Sequence, residues 1–154
     1  MPFTVHRAAD GELSQIAVLE AACFSFPGTV DQIRHEAGDG LHLFLTAVEE
    51  GQDTVLGYVG LTHILDEGYI GNVAVSPPYR REGVATALLR ALDREAEALS
   101  LSFVTLEVRR SNLPAIAPYE NNGYAHTGTM KNHYSKPQED ALIMTKRFVP
   151  SGGI

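Results

Sequence analysis

The chain has 154 residues, which fits one domain (1–149, with a frayed tail at 150–154) and leaves no room for a second. Hydrophobic residues make up 44% and charged residues 20%, a globular balance that excludes disorder and fibre. Twelve Lys and Arg against nineteen Asp and Glu give a net charge of −7, which argues against a counterion-displacing face and so against nucleic acid as a partner.

Residues 3–8 read as a short strand. Asp10 is placed to cap a helix through about Phe24, with Leu13, Ile16, Ala17 and Ala21 on one face. Residues 25–28 break it, and Thr29 or Asp31 opens a second helix ending near Gly38–Gly40. Residues 41–49 and 54–64 pattern as a strand pair, and 69–75 as another β-rich run that stops at Pro77-Pro78. A glycine-containing turn at 80–85 leads into a long helix to about Leu99, with Val84, Leu88, Leu92 and Ala96 in register. Residues 103–108 form a strand. Ser111-Asn112-Leu113-Pro114 then starts a helix with a capping residue followed by Pro, and Asn122-Gly123 stops it. Strands at about 124–130 and 141–148 close the chain, with a loop between them. The order β-α-α-β-β-β-α-β-α-β-β lacks the regular βαβ alternation of a doubly wound fold. It predicts an α/β sandwich on a mixed, mostly antiparallel sheet.

Several function classes drop out. Cys23 is the single cysteine, so no disulfide framework or multi-cysteine zinc site is possible. Six scattered histidines show no HExxH spacing, and no metal is expected. No stretch approaches the ~20 apolar residues of a membrane span, and the first dozen residues lack a signal peptide's regions. The expectation is a cytoplasmic protein with no membrane partner. Charge is uneven: residues 1–76 carry 2 basic and 11 acidic side chains, residues 77–154 carry 10 and 8. That is either a pair of solvated faces, or an acidic half for a cationic substrate and a neutral half for an anionic cofactor.

The segment from Asn72 to Leu89 runs strand, turn, helix. Gly83 permits close backbone approach, and the first N–H groups of the helix lie unpaired at its positive dipole end. Such a turn can cradle phosphate, although neither GxxxxGK[ST] nor GxGxxG is present. It can equally be an ordinary turn. Glu107 alone could be a surface strand residue, Tyr119 a core aromatic, Asn112 a helix cap, and Tyr134 and Phe26 loop aromatics.

Arg80-x-x-Gly83-x-Ala85 resembles the Q/R-x-x-G-x-G/A signature of the GNAT acetyltransferases, and Val73-Ala-Val-Ser-Pro and Ala87-Leu-Leu around it match too. Within that superfamily the chain is most similar to the ribosomal-protein alanine N-acetyltransferases. Leu65-Asp-Glu, Leu106-Glu-Val-Arg, Ser111-Asn112, Tyr119-Glu, Gly123-Tyr and Asp140-Ala-Leu-Ile-Met carry that likeness. The resemblance implies a GNAT fold with splayed central strands and acetyl-CoA as co-substrate. It would place the pantetheine arm along Val73, Ala74 and Val75 and the pyrophosphate on Arg80, Arg81, Glu82, Gly83, Val84, Ala85 and Thr86, with Asn112 touching the arm. It implies Glu107 as general base, since most of a peptide α-amine (pKa ~7.7–8.0) is protonated at neutral pH. It implies Tyr119 as the acid that protonates the leaving sulfur, a Val73 or Ala74 N–H for the oxyanion, and Tyr134 and Phe26 on the acceptor.

No acyl-enzyme is needed, so Cys23 reads as a small apolar core residue. The sequence departs from the pattern at Pro118, which could kink the last helix beside Tyr119, and at His133 and Gly28 on the acceptor side. The acceptor is then a protein N-terminus, of ribosomal-protein type. The alternatives are a small amine, polyamine or lysine side chain, or a silent acyl-CoA-binding domain. Oligomeric state stays open.

Overall fold

The computed structural model describes residues 2–24 and 27–148. Seven strands form one sheet: β1 (Phe3–Arg7), β2 (His42–Glu49), β3 (Val55–Ile64), β4 (Glu67–Val75), β5 (Phe103–Arg109), β6 (Ala125–Ser135) and β7 (Gln138–Arg147). Their spatial order is β1-β2-β3-β4-β5-β7-β6, and only β4 and β5 run parallel. Four helices cover the sheet: α1 (Leu13–Cys23), α2 (Val30–Ala37), α3 (Val84–Ala98) and α4 (Leu113–Asn121). The expected mixed, mostly antiparallel α/β sandwich is the observed one.

Period-2 alternation divides the core. Leu43, Leu45 and Ala47 of β2 and Val104, Leu106 and Val108 of β5 pack with Leu88, Leu89 and Leu92 of α3 and Ile116 of α4. On the opposite face Phe44, Val48 and Tyr58 pack with Leu13, Ile16 and Leu19 of α1 and Ile33 of α2. Val84, Leu88, Leu92 and Ala96 are all buried, the single stripe that their spacing dictates.

Three local readings are corrected. Asp10 does not cap α1. A 3₁₀ turn at Asp10–Glu12 leads in, and the Glu12 carboxylate accepts from Ala9 N at 2.9 Å and Thr46 Oγ1 at 2.7 Å. The buried face of α1 runs through Leu19 and Glu20, leaving Ala21 exposed. Glu20 turns inward because its carboxylate accepts from Gly28 N at 2.9 Å. Residues 131–137 are not a loop, since β6 and β7 continue through them to a turn at Lys136-Pro137. Of the two candidates for the cap of α2, it is Thr29: its hydroxyl accepts from Gln32 N, and Gln32 Oε1 accepts from Thr29 N.

The sheet is weakest at its centre. β4 and β5 pair over just Glu67↔Phe103, Gly68↔Val104 and Tyr69↔Thr105. Beyond Tyr69 no pairing joins them, and the two strands splay into a V.

Candidate active site

A cleft of about 590 Å³ fills the V. Val73, Ala74 and Val75 line it from β4, Arg80, Arg81, Gly83, Val84, Ala85 and Thr86 from the turn into α3, and Asn112, Ala115, Pro118 and Tyr119 from α4. Eleven sequence-selected residues therefore share one cavity. Glu82, Glu107 and Tyr134 do not line it, and Phe26 lies outside the described residues.

The floor of the cleft is a ready anion site. Gly83 has φ +82, a left-handed conformation that costs glycine little, and its missing Cβ would meet nothing within 4 Å. The first helical hydrogen bond of α3 runs from Ala87 N to Gly83 O, at 3.0 Å. Among the described residues, the backbone N–H groups from Arg81 to Thr86 find no acceptor. They lie at the positive end of a 15-residue helix, the geometry that holds a diphosphate. Arg80 Nε donates to Val75 O at 3.1 Å and so ties the turn to the end of β4. Arg80 Nη2 also stands 3.7 Å from Cys23 Sγ. Cys23 thus packs against the α1 core and also borders the cleft, where the sequence places it wholly in the core.

Pro118 does not break α4. The helix runs unbroken from Leu113 to Asn121, and Pro118 faces the cleft beside Tyr119. Asn112 caps it, with Oδ1 3.4 Å from Ala115 N, while also lining the cavity. Tyr119 is 8% exposed and meets the Tyr124 ring edge-on at 5.9 Å. Burial, with a smaller contribution from nearby Tyr134, pushes its hydroxyl up to about 12. The group therefore stays protonated throughout the physiological range.

A second cluster stands at the open end of the V. Glu107 lies on the sheet face opposite Val104, Leu106 and Val108, half exposed. β7 separates β5 from β6, yet His133 of β6 brings Nε2 within 2.8 Å of Glu107 Oε2. A bulge makes that possible. Met130 pairs with Ala141 and Tyr134 with Glu139, so residues 131–133 of β6 face a single β7 residue, Asp140. Asn132 takes φ +54 and donates its N–H to Asp140 Oδ1 at 2.9 Å. Such a bulge bends a strand, and here it turns the hairpin end back over the sheet.

Arg109, at the end of β5, fastens that hairpin end. Its guanidinium donates to Pro137 O at 2.8 Å and Lys136 O at 3.3 Å, pairs with Glu139 at 3.3 Å, and lies 4.3 Å from the Tyr134 ring centroid. Burial, together with Glu107 and Glu139, raises the Tyr134 hydroxyl, while Arg109 opposes the rise. Tyr134 is thus a strand residue at the mouth rather than a loop residue. The sequence alone marks no role for Arg109 or His133. The signal for Arg109 was its place directly after the Leu106-Glu107-Val108 strand, and for His133 its departure from the family pattern.

Residues 12–124 match the model of the acetyltransferase (GNAT) family. The chain belongs to the GNAT acetyltransferases. It is 34% identical over 136 residues to a putative [ribosomal protein bS18]-alanine N-acetyltransferase of Bacillus subtilis, covering 86% of this chain and 87% of that one. It is 34% identical over 129 residues to the [ribosomal protein bS18]-alanine N-acetyltransferase of Salmonella typhimurium, covering 82% and 84%. The crystal structure of the Escherichia coli ribosomal-protein-S18-alanine N-acetyltransferase superposes with a TM-score of 0.86 at 29% identity, over 98% of this chain and 97% of that one. The fold is the GNAT fold, and this acetyltransferase is an acetyl-CoA-dependent N-acetyltransferase. The unsatisfied N–H row and the unpaired stretch of β4 suit the two ends of that co-substrate, a diphosphate and an amide-bearing arm. No described helix is long and apolar enough to cross a membrane.

Proposed function

We propose that this acetyltransferase modifies the α-amine of a protein N-terminus, of the ribosomal-protein alanine type, by direct attack within a ternary complex. The observation that carries the reading is the two-sided mouth. A neutral, buried tyrosine hydroxyl lines the cleft, and the Glu107–His133–Tyr134 cluster of β5 and β6 stands at the open end of the V. Two relatives with more than four-fifths coverage carry names of that activity.

Acetyl-CoA supplies a thioester carbonyl and a sulfur leaving group. Residues Arg80, Arg81, Glu82, Gly83, Val84, Ala85 and Thr86 hold its pyrophosphate, and Val73, Ala74, Val75 and Asn112 its arm. The N–H of Val73 or Ala74 is the donor for the carbonyl oxygen as charge develops there. Glu107 takes the proton from the α-ammonium, directly or through one water, and leaves an amine that can attack. Tyr119 gives its hydroxyl proton to the departing sulfur. Tyr134 packs the acceptor's first residue.

The test is thiol release from acetyl-CoA with short peptides beginning Ala, Ser, Met or Gly, N-terminally free or blocked, with spermidine and lysine as controls. Turnover confined to free N-termini is the expected result. Turnover with spermidine or lysine alone would move the acceptor to small amines. Bound acetyl-CoA with no turnover on any peptide or amine would refute the proposed reaction.

A further inference from the structure

The contact between His133 and Glu107 has no part in the reaction as written above. It joins strands that are not neighbours in the sheet, and it exists because a bulge and a left-handed Asn132 turn the hairpin back. The two side chains meet at 2.8 Å, with His133 about one-third exposed and Glu107 45% exposed, so both members of the contact reach solvent. The Tyr134 ring stands edge-on to the imidazole at 4.9 Å and holds its plane. The charged and titratable groups around the pair are Arg109 from β5, Tyr134 from β6, and Glu139 and Asp140 from β7, with Arg110 paired to Asp140 at 3.7 Å.

The chemistry of the step asks for such a partner. An α-ammonium has a reference pKa of about 8, and a glutamate carboxyl one of about 4.3. Moving the proton between them is uphill by roughly 5,000-fold, whereas an ordinary imidazole, near 6.5, lies only about 30-fold uphill. A carboxylate touching an imidazole offers the proton a better resting place than the carboxylate alone.

We propose that Glu107 and His133 accept the acceptor's proton as a pair, and that His133 holds it and passes it to water. The inference rests on the reading of Glu107 as base. In balance, one N–H bond of the α-ammonium breaks. The pair goes from carboxylate plus neutral imidazole to carboxylate plus imidazolium, and the imidazolium then loses that proton to solvent.

The experiment is the pH–rate profile of kcat, from pH 5.5 to 9, with a free-N-terminal Ala peptide. It compares wild type, His133→Gln, Glu107→Gln and the double variant. The expected result is a kcat lower by about 10-fold in His133→Gln, with the imidazole-range ionisation gone from the acid limb. The KM for acetyl-CoA and the thermal midpoint stay at wild-type values. The double variant is no slower than Glu107→Gln, because both changes disable one unit. A slow Glu107→Gln beside a His133→Gln with wild-type kcat and profile overturns the pair and leaves Glu107 as base. Full additivity in the double variant overturns it too, since independent structural damage adds. Wild-type rates in Glu107→Gln refute the base assignment itself, and the pair with it.

Discussion

Gly57 lies behind the cleft, on β3 opposite Val75, and Gly57→Ala tests how tightly the cleft wall is backed. An added Cβ would stand 2.8 Å from Ala74 O, 3.1 Å from Val84 Cγ1 and 3.3 Å from Val75 Cα. Carbon–oxygen contacts between strands settle at about 3.3–3.6 Å, so β4 must yield by roughly half an ångström. The nearest obstacle is backbone, held by the β3–β4 ladder, and no side-chain rotation relieves it. Overpacking of this kind costs about 1–3 kcal/mol. At about 2–4 °C per kcal/mol for a domain of this size, the midpoint falls by about 4–8 °C for a cost of 2 kcal/mol. The displaced atoms belong to Ala74, Val75 and Val84, all on the cleft wall, so CoA affinity falls as well, by about 10-fold. Thermal unfolding gives the first quantity and calorimetric titration with CoA the second. Gly83→Ala is the control of opposite character. Its Cβ meets no protein atom within 4 Å, so it carries only the left-handed φ cost of roughly 1–2 kcal/mol, but its methyl enters the cleft. In that variant affinity falls more than stability does. A Gly57→Ala protein with wild-type midpoint and affinity would refute the reasoning.

Tyr119→Phe slows turnover by about 100-fold while acetyl-CoA affinity stays within twofold, since only the buried hydroxyl is removed; single-turnover kinetics with a binding titration measure both, and an unaltered kcat rules the acid role out. Arg109→Ala raises the acceptor KM by about 10-fold without moving the acetyl-CoA KM. Arg109→Lys does not restore it, because a single ammonium cannot reach Lys136 O, Pro137 O and Glu139 together while stacking on Tyr134. Burial pushes the Glu12 carboxyl up, but hydrogen bonds from Ala9 N, Thr46 and His6 outweigh it and hold it below the usual range. Its contribution to stability is therefore complete above the unfolded value of about 4.3 and fades as pH falls through the lower folded value. Urea midpoints of wild type should drop more steeply below pH 4.5 than those of Glu12→Gln, and parallel curves would contradict this.

The cleft is legible in the sequence because its causes are local. Gly83 marks a left-handed turn, the spacing of Val84, Leu88, Leu92 and Ala96 marks the helix, and a strand before them supplies the wall. These features lie within one run of the chain, where periodicity operates. The acceptor half depends on distant partners. His133 meets Glu107 across an intervening strand, and nothing in the neighbourhood of either residue encodes that meeting. Residues 131–137 pattern as a loop in the sequence because the bulge there interrupts the two-residue alternation that marks a strand. The inward turn of Glu20 is illegible in the sequence for a related reason. Its carboxylate is drawn inward by one backbone N–H eight residues on, a contact with no helical period.

The sheet's thin seam has a mechanical consequence. Three residue pairs join the β1–β4 half to the β5-β7-β6 half, while β3 and β4 share eight and β5 and β7 share seven. The two halves therefore behave as leaves on a short hinge, braced chiefly by α3 and α4. A co-substrate held as proposed, along β4 and against α4, would span the crease and act as a removable rivet. Loading would then tighten the molecule along the open lip of the V, where amide exchange at residues 70–75 and 106–109 slows most.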